Sequence, residues 1–197
     1  MLSQSRCSLH IKIIFVNHTS WGRHDCLPHI NFLCTFIPFP LMPTSTTISP
    51  ASLSDDERFM RMALAEAHAA GAAGEIPIGA VIVSRGIVLS RAHNLTETLC
   101  DVTAHAEMQA ITAAANTLGG KYLTDCTLYV TVEPCPMCAG AIGWAQIKRV
   151  VYGCPDPKRG FREYSPRALH PKTTVTEGIL EDECRELMQN FFRSRRR

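Results

Sequence analysis

The feature that most constrains this chain is the segment Pro134-Cys135-Pro136-Met137-Cys138, which follows directly on an apolar run at residues 126–132. The run has strand character, and residues 135–146 have the composition of a helix. The fold must therefore deliver two cysteines from the end of a strand to the N-terminus of a helix. Three positions apart, Cys135 and Cys138 share one face of a helical turn. The positive end of the helix favours thiolate over thiol, and thiolate is the form that binds metal. Pro136 suits a first turn, where its missing N–H costs nothing. The chain holds nine cysteines, and this pair alone has C-x-x-C spacing. That pattern fits metal or redox chemistry in a reducing compartment better than a disulfide framework.

A second segment, His105-Ala106-Glu107, opens an Ala-rich helical stretch at residues 105–118 that Gly119-Gly120 closes. His105 offers a third metal ligand. Three protein ligands leave one position of a tetrahedral zinc open, as in a catalytic site, whereas a structural site is closed by a fourth. Glu107 is two residues on. At the first turn of a helix both side chains can face one cavity, and a carboxylate beside an activated water can take and return its proton. Two competing readings stand beside this one. A thioredoxin-like redox pair would explain the cysteines but not His105 and Glu107. A closed structural zinc site would need His93, Cys126 or Cys154 as a fourth ligand, none at diagnostic spacing.

The other elements follow from local signals. Ser54-Asp55-Asp56-Glu57 is a capping box, and helical spacing runs from Phe59 to a stop at Gly71 and Gly74. Residues 76–83 read as a strand, Ser84-Arg85-Gly86 as a turn, and residues 87–89 as the returning strand of a hairpin. Further strands are expected at residues 126–132, 149–152 and 173–176, and a last helix at 181–192. Residues 153–171 hold four prolines and are expected to be loop-rich. The order of elements gives a three-layer α/β/α sandwich with a mixed five-stranded sheet. His68 and His170 read as surface or loop residues, and Cys100, Cys126, Cys154 and Cys184 as small core or boundary residues.

The chain has 197 residues, enough for one domain with some length to spare. Residues 1–50 differ from the rest: four of the eight histidines lie there, with several prolines and no sustained periodicity. They read as a poorly ordered leader or a misassigned upstream start, with Met42 as the natural first residue, ahead of a zinc-dependent domain at 51–197. No apolar run approaches the roughly 18 residues of a membrane span, so no membrane partner is expected. Residues 51–147 carry five basic and ten acidic groups, residues 148–197 twelve basic and seven acidic. The chain ends Arg193-Ser194-Arg195-Arg196-Arg197. A basic end can meet phosphates, or can simply be a solvated helix end that suits the macrodipole.

Together the two segments match H-x-E…P-C-x-x-C, the signature of zinc-dependent nucleobase deaminases. The likeness is wider than that signature. Residues 75–81 (Glu-Ile-Pro-Ile-Gly-Ala-Val), His93-Asn94, residues 103–107, residues 128–135, residues 177–180 and Phe191-Phe192-Arg193 all resemble bacterial tRNA-specific adenosine deaminases of the TadA type, within the cytidine/deoxycytidylate deaminase superfamily. The resemblance runs from about Ser54 to Arg197. It implies a cytidine-deaminase-like fold, one zinc per chain on His105, Cys135 and Cys138, and Glu107 as the catalytic acid–base. It implies hydrolysis of adenosine to inosine at the wobble position of a tRNA anticodon, in a cytoplasmic homodimer. Carried over, Asn94 contacts the base, and Ile78 and Ala106 shape its pocket. Asp156 and Lys158 in one loop, and Phe192 and Arg193 on the final helix, approach the RNA of the anticodon loop.

One stretch departs from the family: residues 159–165 (Arg-Gly-Phe-Arg-Glu-Tyr-Ser) differ from the small Gly/Ser-rich version of this loop. Cys135-Pro136-Met137-Cys138 together with Trp144 also resembles free-base guanine deaminases. A guanine (or cytosine) deaminase is thus the alternative enzyme. An inactive zinc-stabilised RNA-binding module is the alternative from another class, and Glu107 weighs against it.

Overall fold

The computed structural model describes residues 54–196. The expectations for residues 1–50, including a start at Met42, fall outside the described residues. The first helix, α1 (Asp55–Ala72), begins at the capping box expected from the sequence: Glu57 N donates to Ser54 Oγ at 3.2 Å, and Ser54 N donates to Glu57 Oε2 at 3.3 Å. It buries Phe59, Met60, Ala63, Leu64, Ala67 and Ala70 on one stripe. The alanines let its backbone lie directly on the first strand. A Cβ at Gly79 would sit 2.0 Å from the Ala63 carbonyl oxygen and 2.5 Å from the Ala67 nitrogen, so only glycine fits there.

That strand, β1 (Gly79–Ser84), starts three residues later than the apolar run suggests. Pro77 has no N–H to give a ladder, and Ile78 N turns back to Ile76 O at 2.8 Å. Arg85 and Gly86 both have positive φ, the geometry of a two-residue hairpin turn, and lead into β2 (Ile87–His93). This strand is four residues longer than its apolar part: the register shifts at a bulge between Ile82 and Val83, and pairing with β1 continues beyond it to Gly79↔His93. Next come α2 (Ala106–Leu118), capped by the left-handed Gly119, and β3 (Cys126–Val132). After these follow α3 (Pro136–Trp144), β4 (Arg149–Cys154), the single turn α4 (Phe161–Tyr164), β5 (Thr174–Glu177) and α5 (Glu181–Arg195). The turn α4 is not expected from the proline-rich sequence around it.

The sheet order is β2-β1-β3-β4-β5. β1 is antiparallel to both β2 and β3, whereas β3, β4 and β5 run parallel, so the sheet is mixed as expected. Period-two alternation divides the core. Ala80, Ile82, Leu128, Val130, Val150 and Tyr152 face α2 and α3. Val81, Val83, Tyr129 and Val151 face α1 and Cys184 of α5. The result is the three-layer α/β/α sandwich. Its parallel strands β3 and β4 both end toward one side of the sheet, and a crevice there is where this class of fold places its ligands.

Candidate active site

The chain from β3 reaches α3 through Glu133 and Pro134, and Cys135 is the residue just before the helix, with extended backbone (φ −73°, ψ 168°). His105 holds the same place before α2 (φ −69°, ψ 155°). Neither caps its helix with a side-chain bond, so both side chains are free for another partner. Cys138 follows in the first turn of α3, fully buried. The donor atoms of His105, Cys135 and Cys138 lie within 4.8 Å of one another. His105 Nδ1 is 3.7 Å from Cys135 Sγ and 3.5 Å from Cys138 Sγ. A tetrahedral zinc with bonds of about 2.0 Å to nitrogen and 2.3 Å to sulfur separates such donors by about 3.6 Å. The residues present therefore fit zinc in both donor type and spacing.

The same three groups shift one another's protonation. The hydrogen bond from Cys138 pulls the Cys135 thiol well below its ordinary range, with His105 adding to the effect. That bond, together with burial, pushes the Cys138 thiol up. The hydrogen bond to Cys135 raises His105. Metal binding needs both sulfurs deprotonated, and the lowered Cys135 thiol is already suited to it.

Glu107 lies in the first turn of α2, only 3% exposed. Its Oε2 is a buried polar atom with no hydrogen-bond partner among the described residues. Burial pushes this carboxyl up to about 7, and the charge at Cys135 adds to the rise. A carboxyl titrating near neutrality can both take and give a proton under physiological conditions. The orphaned oxygen leaves it free to do so with a ligand.

Asn94 is buried at the end of β2, and its backbone N–H donates to Ile78 O at 3.1 Å. Ala106 is fully buried between His105 and Glu107. The fourth-ligand candidates are elsewhere. His93 is bonded to Glu66 at 2.9 Å, and Cys126 and Cys154 are buried outside the three-donor group. Asp156, expected to approach RNA, accepts from the backbone N–H groups of Lys158 (2.9 Å) and Arg159 (3.1 Å), so its carboxylate shapes its own turn. Lys158, Phe192 and Arg193 are exposed.

Two further carboxylates, Glu75 and Glu133, lie within segments that resemble the family but carry no role assigned from the sequence. Glu75 is fully buried and accepts from residues 94–98. Glu133, the residue before Pro134, accepts from Asp156 N and Arg162 N, both at 3.1 Å, and pairs with Arg162 Nε at 3.5 Å. It thereby ties the loop after β4 to the segment that carries Cys135. Residue type and spacing alone give each as an acid beside an apolar run, with nothing that marks it as interior. Among the described residues, no helix is long and apolar enough to cross a membrane.

Comparison with known proteins bears on the same residues. The family described as cytidine and deoxycytidylate deaminase zinc-binding region matches residues 53–154. The tRNA-specific adenosine deaminase of Agrobacterium fabrum is 44% identical over 149 residues, 73% of this chain and 98% of that protein. A solved tRNA:A34 deaminase, studied for A-to-I editing at the wobble position of transfer RNA, is 46% identical with a TM-score of 0.62. That alignment covers 66% of this chain and 98% of the other. The solved guanine deaminase of Nitrosomonas europaea is 24% identical with a TM-score of 0.61, covering 73% and 88%, and that likeness speaks for the fold alone.

Proposed function

Because the chain belongs to the cytidine and deoxycytidylate deaminase zinc-binding family, we propose that it hydrolyses adenosine to inosine at the wobble position of a tRNA anticodon. The observation that carries the reaction is Glu107 Oε2, a buried carboxylate oxygen without a partner beside a three-donor metal group. A binding module has no use for such a group. The choice of adenosine in tRNA rests on relatives matched over nearly their whole length.

In this reading His105, Cys135 and Cys138 would hold one zinc per chain, and when bound it would lower the pKa of a water to about 7. Glu107 would accept a proton from the attacking water as the water oxygen bonds to C6 of the adenine. Glu107 then gives this proton to the ring nitrogen beside C6. It next relays the second water proton to the amino group, so the C6–N bond breaks and ammonia leaves. Adenosine and water are consumed, and inosine and ammonia are formed. Asn94, Ile78 and Ala106 orient the base. The adenosine must be splayed out of the loop to arrive there, and an anticodon loop has little stacking to lose. Lys158, Phe192 and Arg193 face the RNA, with Asp156 shaping the turn that carries Lys158. The deaminase domain spans residues 51–197.

The reading includes a homodimer in the cytoplasm. Met137 and Trp144 lie one heptad apart on one face of α3, and Trp144 is 85% exposed, an apolar face suited to a second copy. The described cysteines are all unpaired, which suits a reducing compartment. The deciding experiment sets inosine formation in an anticodon stem-loop beside ammonia release from guanine, cytosine and free adenosine. Fast turnover on the stem-loop is expected. Fast turnover of guanine with none on the stem-loop would make the chain a free-base deaminase.

A further inference from the structure

Glu75 is a fully buried carboxylate with no part in the chemistry above and no ion pair among the described residues. Burying an anion is costly unless hydrogen bonds replace its lost water. Here they do. Oε1 accepts from Thr98 N at 2.7 Å, and Oε2 accepts from Asn94 Nδ2 at 2.9 Å, Glu97 N at 3.2 Å and Thr96 Oγ1 at 3.3 Å. Burial pushes this carboxyl up, but the bonds from Thr98 and Glu97 outweigh it, and Glu75 stays below the usual carboxylate range.

The consequence falls on Asn94. A carboxylate only accepts, so the part of the Asn94 amide that faces it must be the NH2 group. Thr96 Oγ1 also receives a bond from Asn94 Nδ2, at 2.9 Å, while giving its own proton to Glu75. Both amide hydrogens are thus committed. An asparagine amide is otherwise nearly symmetric in shape and can turn over at little steric cost. The backbone fixes where this amide stands: Asn94 N is bonded to Ile78 O, and Leu95 N to Ala104 O, next to His105.

We propose that Glu75 is a positioning residue for the nucleobase: with Thr96 it locks the rotation of the Asn94 amide, so that Asn94 meets the base in one orientation only. This rests on the function proposed above, in which Asn94 touches the base. Glu75→Gln keeps the shape but turns one acceptor into a donor. At the Oε2 position that donor would face the Asn94 NH2 group and Glu97 N–H, and at the Oε1 position it would face Thr98 N–H, so either orientation loses a bond that holds the carboxyl group or Asn94 itself, and the lock weakens.

The test is a double-mutant cycle on the full-length zinc enzyme with the anticodon stem-loop, with zinc content and thermal midpoint recorded for each variant. Glu75→Gln should keep its zinc and lose about ten-fold or more in kcat/KM, chiefly through a higher KM, as for a lost hydrogen bond to a charged group. Added to Asn94→Ala, the same change should cost less than about two-fold, because its target is gone. An equal loss in both backgrounds, or a near wild-type rate for Glu75→Gln, would overturn the proposal. Thr96→Val removes the second arm of the lock at nearly constant shape and serves if Glu75→Gln does not fold. Its loss should be smaller and should also vanish with Asn94→Ala, and persistence there would count against the proposal. A wild-type enzyme active on guanine but not on the stem-loop would sink the substrate reading instead, and the same cycle run on guanine would still decide the role of Glu75.

Discussion

Replacing Gly160 by alanine gives a test whose sign depends on the tertiary structure. The backbone at Gly160 (φ −62°, ψ 146°) is one that alanine adopts freely. Judged from the chain alone, Gly160→Ala should stabilise the protein by about 0.4–1 kcal/mol through the unfolded state. Folded, a Cβ there would lie 2.3 Å from the Glu133 carboxyl carbon and 2.4 and 2.5 Å from its two oxygens. Those atoms cannot move away cheaply. Glu133 is 6% exposed, and its carboxylate holds Asp156 N and Arg162 N. Overpacking of this kind costs about 1–3 kcal/mol, and loss of one hydrogen bond to the carboxylate adds about 1.5–3. Less the backbone gain, the net expectation is a loss of about 1.5–5.5 kcal/mol. For a domain of this size that lowers the melting temperature by roughly 3–22 °C. The assay is thermal or denaturant unfolding of wild type, Gly160→Ala, Glu133→Ala and the double variant. With the carboxylate gone there is room for the methyl, so the double variant should lose clearly less than the sum of the single losses. A melting temperature for Gly160→Ala equal to or above wild type would refute the argument, as would strict additivity.

Glu107→Gln should keep zinc and substrate binding but lose at least about 10²-fold in kcat, the low end for a general acid–base; a near wild-type rate would remove Glu107 from the mechanism. Truncation after Phe192 removes four arginines and should flatten the salt dependence of RNA binding by about 0.7 in log–log slope for each phosphate no longer neutralised, raising KM more than it lowers kcat. An unchanged slope would show that the arginines only solvate a helix end. Asp56→Asn tests the link between α1 and β4. Asp56 accepts from Arg149 Nη1 and Nη2 at 2.8 and 2.7 Å and from the Tyr129 hydroxyl at 2.8 Å, and the Arg149 bond holds its carboxyl below the usual range. A depressed carboxyl contributes stability above its unfolded pKa of about 3.9, and that stability is lost as pH falls through the folded value. The variant should lose about 1–3 kcal/mol at pH 7, and its stability should fall less steeply than wild type below about pH 4 in urea unfolding. Parallel acid profiles would contradict this.

Local signals carry much of the fold. The capping box at Ser54, the stop at Gly119, the hairpin at Arg85-Gly86 and the strand-to-helix step at Cys135 each lie within a few residues of sequence, and each forms as its local signal predicts. Where structure and local signal part, a competing rule wins. Pro77 delays β1, pairing with β1 carries β2 on to His93, and Phe161 N bonding to Pro134 O at 2.9 Å draws one helical turn into a stretch that prolines mark as loop. Asp156, which the resemblance places near RNA, also accepts from its own backbone through Oδ1, a role that short polar side chains take whenever a turn offers free N–H groups.

The sequence alone determined the donor chemistry: which side chains could hold zinc, which carboxylate could move protons, and that all of them stand at helix starts. Those properties belong to residue type and to spacing within one turn. Only the tertiary structure decided that His105 comes within 3.7 Å of the sulfurs, that Glu107 is sealed from water with one oxygen left over, and that Glu75 and Glu133 are interior groups rather than surface acids. Each of these depends on a partner far along the chain: Glu75 on Asn94, Glu133 on Arg162, His105 on Cys135. No periodicity records such pairs, because the sheet order β2-β1-β3-β4-β5 brings them together, and burial then sets both their charge and their orientation.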